Sequence, residues 1–89
     1  MTDTLLNPIR TAVTAGGVQV FAANPYASYR EIRNLDAAND IAIGNNGVTF
    51  ATGHIVKAGQ SVVFQNPTGA AIYAITNTGI TVNISAIEF

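Results

Sequence analysis

The sequence predicts an all-β domain, a small antiparallel sandwich or barrel of about eight short strands. Three observations carry this expectation. Turn signals recur about every 8–12 residues, from Gly16-Gly17 and Asn24-Pro25 through Asn45-Asn46-Gly47 to Asn77-Thr78-Gly79. Between them lie runs such as Tyr26-x-Ser28-x-Arg30-x-Ile32-x-Asn34 and Ile80-x-Val82-x-Ile84, which alternate with the period of two that a half-buried strand requires. No apolar stripe at i, i+3, i+4, i+7 persists, and glycine, asparagine and β-branched residues recur too often for helix, with Ala37-Ala38 allowing one helical turn at most.

Residues 1–8 read as an N-terminal arm that precedes one β domain over 9–89. The arm has no periodic pattern and ends in Asn7-Pro8, which disfavours helix at Asn7. Its adjacent Leu5 and Leu6 either tuck against the domain edge or dock on a neighbouring subunit. Residues 9–15 and 18–23 flank Gly16-Gly17, whose freedom at positive φ suits a tight hairpin. In the second of these strands Val18, Val20 and Ala22 are expected on one face, with Gln19 and Phe21 on the other.

Residues 28–44 read as a second hairpin and hold most of the formal charge: Arg30, Glu31, Arg33, Asp36 and Asp40. Asp36, Asn39 and Asp40 form its turn by bonding their own backbone. From Ile41 to Ile87 the only formal charge is Lys57. Asn45-Asn46-Gly47 is the strongest turn signal and predicts a hairpin between strands at 41–44 and 48–51. Residues 54–57 form a short element between Thr52-Gly53 and Ala58-Gly59, and 61–65 alternate around Val62 and Phe64. The uncharged run at 71–76, Ala-Ile-Tyr-Ala-Ile-Thr, is an aggregation hazard on an open edge and is therefore either a central strand, the favoured reading, or part of a subunit interface. A last strand runs from Ile80 towards Phe89.

Composition narrows the function. The chain has 89 residues, which buries only about 60–70% of its unfolded surface, and it has no cysteine to supply a disulfide or a thiolate metal cage. Oligomerisation is the remaining source of added stability. The charged fraction is 10%, far below the roughly 25% usual in soluble domains. A net charge of −1 gives no electrostatic footprint for nucleic acid or acidic lipid. No apolar run approaches the ~20 residues of a membrane-spanning helix, and the N-terminus lacks the basic and apolar segments of a signal peptide, so synthesis in the cytoplasm of the producing cell is expected.

Catalytic chemistry finds few residues. His54 is the only histidine, with no acidic neighbour in sequence to fix its tautomer. Ser61 lacks the Gly-x-Ser-x-Gly elbow. Asp36, Asn39 and Asp40 do not match the ligand spacing of a calcium loop, and one histidine without cysteine makes no zinc site. No glycine pattern for a dinucleotide or a P-loop is present. The chain is expected to be no enzyme and to need no cofactor and no metal. Arg30 and Arg33 fall on opposite faces of their strand, and one of them is expected to pair with Glu31 or Asp36. Tyr26, Tyr29 and Tyr73 have flat apolar bodies and polar tips, which suit core and interface positions or, alternatively, a glycan-stacking site.

The residues Arg30-x-Ile32-x-Asn34, Ile41-Ala42-Ile43-Gly44, Gly47-Val48-Thr49, Gly53-x-x-Val56-x-Ala58-Gly59-Gln60-Ser61 and Ala71-Ile72-Tyr73-Ala74 form a pattern over about residues 29–88. It resembles that of small structural proteins of tailed bacteriophages. The likeness lies in hydrophobic positions and turns, and the first twenty-odd residues are outside it. The resemblance implies a jelly-roll-like β-sandwich on the virion, as a head decoration (cement) protein or as a piece of tail or fibre, with no catalytic residues. A neutral surface fits this expectation, because each unpaired charge buried against a neighbour is costly.

The expected function is therefore a non-enzymatic virion protein, a decoration protein bridging neighbouring capsid subunits as a dimer or trimer. Its expected partners are the major capsid protein or another virion protein, with no nucleic acid and no membrane. Contacts are expected from Leu5, Leu6 and Ile9 of the arm and from Arg30, Glu31, Arg33, Asp36 and Asp40. The alternative is a carbohydrate- or receptor-binding module of a tail fibre or spike that uses Tyr26, Tyr29 or Tyr73.

Overall fold

The computed structural model describes residues 9–65 and 69–89 and contains eight strands, with no helix among the described residues. They are β1 (Ile9–Val13), β2 (Val18–Phe21), β3 (Tyr29–Asn34), β4 (Ile41–Gly44), β5 (His54–Val56), β6 (Ser61–Gln65), β7 (Ile72–Ile75) and β8 (Val82–Glu88). The first sheet has the order β1-β8-β3-β6 and the second β2-β7-β4-β5, all antiparallel. Pairing β1 with β8, β2 with β7, β3 with β6 and β4 with β5 makes one long ribbon whose tip is the β4–β5 connection. Folding that ribbon over itself adds the β3–β8 and β4–β7 pairings. This is the jelly-roll arrangement of an eight-stranded sandwich.

The core sits between the sheets. Val13, Ile32, Val82, Ile84 and Ala86 enter from the first sheet; Phe21, Ile41, Ile43, Val56 and Ala74 enter from the second. Each buried isoleucine contributes about 1.5–3 kcal/mol relative to its exposed state. The run at 71–76 supplies β7, which lies between β2 and β4 as a central strand.

Three local expectations are corrected. The turn at Gly16-Gly17 forms, with the Gly17 N–H donating to the Thr14 carbonyl at 3.1 Å and Gly17 at φ +83°. It joins no hairpin, because β1 pairs with β8 in one sheet and β2 with β7 in the other. Residues 28–44 likewise span both sheets: β3 and β4 are not partners, and the Asp36 turn is a corner between layers. A turn signal marks where the chain bends, whereas the pairing partner is chosen by which apolar faces must meet. The strand expected at 48–51 is absent. Residues 45–53 instead make two successive turns, with Val48 N–H donating to Asn45 O and Gly53 N–H donating to Thr49 O.

The facing of β2 is also revised. Its register runs Val18↔Ala74, Gln19↔Tyr73 and then Phe21↔Ile72, so Val20 is an extra residue in a β-bulge. The bulge turns Phe21 into the core, and Val18 and Val20 pack against that core as well.

Candidate functional site

Alternation along β3 sets the chemistry of this surface. Arg30, Ile32 and Asn34 face inward and are buried, while Tyr29, Glu31 and Arg33 face outward. Arg30 has no exposed surface. Its Nε donates to Glu88 Oε2 at 2.7 Å, one terminal nitrogen donates to the Ala70 carbonyl, and the other donates to the Ala22 carbonyl at 2.9 Å. The guanidinium also lies 5.1 Å from the centre of the Phe21 ring. Arg30 thus fastens β3 and β8 to the backbone that leaves β2 and enters β7. The expected partner, Glu31 or Asp36, is replaced by Glu88, because Arg30 and Glu88 are register neighbours on the inner face. With no accessible surface, Arg30 is not an outward contact residue.

Asn34 organises the corner between β3 and β4. Its Nδ2 donates to the carbonyls of Asn39 and Val56, and its Oδ1 accepts from the Asp36 N–H at 2.9 Å. Asp36 Oδ2 in turn accepts the N–H groups of Ala38 and Asn39 at 3.0 and 2.6 Å. Those two donors hold the carboxyl below its ordinary pKa. Asp40 Oδ1 accepts the Ala58 N–H at 3.0 Å, and Lys57 Nζ stands 3.7 Å from Asp40 Oδ2. Asp36 therefore caps its own turn as expected, whereas Asp40 does not bond its own turn but reaches across to the backbone that follows β5. No group of three or more His, Asp or Glu placed to hold a metal ion occurs among the described residues.

Among the described residues, the remaining charged side chains, Arg10, Glu31 and Arg33, gather on the outward face of the first sheet. Register places Arg10 beside Ser85, Ser85 beside Arg33, and Arg33 beside Ser61, in one row across β1, β8, β3 and β6. The next row holds Ile87, Glu31 and Val63. Arg10 and Arg33 are exposed and stand two strand spacings apart, about 10 Å between backbones. Glu31 Oε1 accepts the Tyr29 hydroxyl at 3.1 Å. Partial burial of the Tyr29 ring, and then the Glu31 carboxylate, raise the phenol pKa. The Tyr29 ring stacks on Phe89 at 4.8 Å between centroids. Sequence reasoning passed over Arg10, because only the β1–β8–β3 register brings it beside Arg33.

The outward face of the second sheet carries Gln19, Tyr73, Ile75, Ala42 and Ile55 and no charge. Part of it lies under the 45–53 connection. A Cβ placed on Gly53 would stand 2.8 Å from both Ala42 Cβ and Val48 Cγ2, so glycine is required there for the loop to close on the strand. Ala42 is completely buried as a result. Beside this cover is a groove of about 250 Å³ lined by Gly17, Gln19, Asn46, Val48, Tyr73 and Ile75, in which the Tyr73 hydroxyl donates to Gln19 Oε1 at 3.0 Å.

The three tyrosines do not share one platform. Tyr29 faces outward from the first sheet and Tyr73 from the second, while Tyr26 is 91% exposed in the turn before β3. Ile9 opens β1 and is largely exposed, and Leu5 and Leu6 lie outside the described residues. His54 is exposed on the edge strand β5. Comparison with known protein families, with curated proteins and with solved structures finds no match for this chain.

Proposed function

We propose that this chain is a non-enzymatic structural protein of a tailed-bacteriophage virion, a decoration protein that lies on the head and bridges neighbouring capsid subunits. One observation carries the reading: where the charge stands. Arg30 and Glu88 pair with each other, Asp36 and Asp40 serve backbone N–H groups, and Lys57 stands beside Asp40. Among the described residues, Arg10, Glu31 and Arg33 are left, together on the outward face of the first sheet. An outward sheet face with a few charges spread among Ser85, Ser61 and Ile87 suits a broad protein partner better than a small molecule held in a cleft. Repetition over a lattice then supplies the avidity that one such patch lacks. The fold is compatible with this reading without implying it, since jelly rolls serve capsid, lectin and enzyme proteins alike.

Co-sedimentation with empty capsids tests the proposal. The wild-type chain is expected to pellet with particles, and the double substitution Arg10→Glu with Arg33→Glu to pellet at least about tenfold less, more so at low salt. Failure of the wild-type chain to pellet with any capsid or virion preparation removes the proposal. A second reading, a carbohydrate- or receptor-binding module, is favoured by the groove beside Tyr73, Gln19 and Asn46. Its volume falls just short of the ~300–1,000 Å³ usual for ligand sites. Replacing capsids by oligosaccharides in the same experiment, with Tyr73→Ala as the control, separates the two readings.

A further inference from the structure

Each sheet of a sandwich ends in two edge strands, and their unpaired N–H and C=O groups invite another strand unless something blunts them. The four edges here are β1, β6, β2 and β5. Edge β1 carries the exposed Arg10, and edge β2 is broken by the bulge at Val20. Edge β5 has only three residues and is followed directly by Lys57. Among the described residues, edge β6 has none of these protections. Its five residues, Ser-Val-Val-Phe-Gln, hold no charge and no proline, and its register with β3 runs unbroken over all five.

The direction of its hydrogen bonds shows what this edge offers. The Asn34 N–H donates to the Gln60 carbonyl at 2.8 Å, so the bonded pairs continue at Ile32–Val62 and Arg30–Phe64. The backbone groups of Ser61, Val63 and Gln65 therefore point away from β3, and no described strand pairs with them. The Val63 side chain is 46% exposed, and Val62 and Phe64 are only half-buried at the margin of the core.

We infer that β6 pairs antiparallel with β6 of a second copy of this chain, about a two-fold axis at Val63. Centred there, Val63 exchanges two main-chain hydrogen bonds with its own counterpart. On the inner side, Val62 of each copy comes opposite Phe64 of the other and extends both cores across the junction. Electrostatics permit the contact: the like charges in the row of the axis are the two Glu31 residues, three strand spacings or about 14 Å apart, which exceeds the Debye length of ~8 Å. The axis stands perpendicular to the sheet, so both copies turn Arg10 and Arg33 to the same side. This deepens the structural role proposed above, on which it rests, by doubling the charged face presented to a particle.

Mass measured by light scattering across a dilution series tests the pairing. The wild-type chain is expected to pass from monomer to twice its 9.3 kDa mass as concentration rises, with the Val63 amide protected from hydrogen exchange only in the concentrated sample. Val63→Lys keeps every β3–β6 bond but sets two like charges side by side. Val63→Pro removes the outward N–H at a position where an edge strand tolerates proline. Each is expected to weaken association by about tenfold or more, while Ile55→Lys on β5 leaves it unchanged. An unchanged mass for a folded Val63→Lys chain, or dimers broken by Ile55→Lys instead, overturns the β6 contact. A chain that is monomeric at every concentration but pellets with capsids overturns the contact and spares the structural role. A monomeric chain that pellets with nothing removes both.

Discussion

The two outward faces of this jelly roll are built by the same alternation, yet they differ in charge and in cover. The first sheet leaves Arg10, Arg33 and Glu31 open among serines and Ile87. The second shows Gln19, Tyr73, Ile75 and Ile55 without a charge, and its Ala42 is sealed under Val48 and the Gly53 backbone. The difference arises from where a connection lies. The β4–β5 connection doubles back over its own sheet and satisfies the apolar middle of that face. No described connection does the same for the first sheet.

The arginines of β3 give the largest contrast. Arg33 belongs to the open face, whereas Arg30, three residues earlier, faces inward and pairs with Glu88. Removing Arg30 leaves Glu88, whose side chain is 27% exposed, without its partner and two backbone carbonyls without a donor, at a cost of about 3 kcal/mol, the lower end of the range for buried pairs. At about 4–8 °C per kcal/mol for a domain of this size, Arg30→Ala is expected to lower the melting temperature by about 10 °C or more. Arg33→Ala is expected to stay within about 0.5 kcal/mol of wild type. Thermal denaturation followed by circular dichroism compares the two, and equal losses would show that the outward face carries structural weight.

A middle-sized effect tests the cover on the second sheet. Gly53→Ala places a methyl group 2.8 Å from Ala42 Cβ and from Val48 Cγ2, closer than such atoms can approach. Overpacking of this kind costs about 1–3 kcal/mol, and here the relief available is to lift residues 45–53 from the strand. The Ala42 and Ile75 environment is then expected to change in a heteronuclear NMR spectrum while the Arg33 and Ser85 signals stay in place. Movement of both sets together would mean that the loop and the opposite face are coupled through the core.

Much of the fold was legible because burial and turn chemistry are local. Period-two runs gave the strands, and the charge-free stretch at 71–76 pointed to a strand covered on both edges, which the fold supplies as β7 between β2 and β4 rather than at a subunit interface. Pairing was not legible. Gly16-Gly17 and the Asp36 turn look like hairpin turns in sequence, and nothing local says that the next strand joins the other layer. The bulge at Val20 reversed the facing of Phe21 for a related reason, because one inserted residue leaves no mark in composition. The candidate face suffered most. Arg30 and Arg33 were rightly set on opposite sides of a strand, but Arg10 joins Arg33 only through a register between strands more than twenty residues apart.

The smallest expected effect concerns pH and bears on β3 and its exit rather than on the second sheet. The Ala38 and Asn39 N–H groups lower the Asp36 pKa in the folded chain. A lowered pKa means that the unfolded chain binds the proton first, so the stability contributed by the Asp36 turn is present above the ordinary aspartate value of about 3.9. It is lost as pH falls through the lower folded value. Tyr29 behaves in the opposite sense: partial burial and Glu31 raise its phenol pKa, so its contribution is complete below about pH 10 and is lost as pH rises through the higher folded value. Asp36→Asn is expected to flatten the acid limb of a stability profile and Tyr29→Phe the alkaline limb, each leaving the other limb intact. If Asp36→Asn leaves the acid limb unchanged, the corner between β3 and β4 is held by Asn34 without help from the carboxylate.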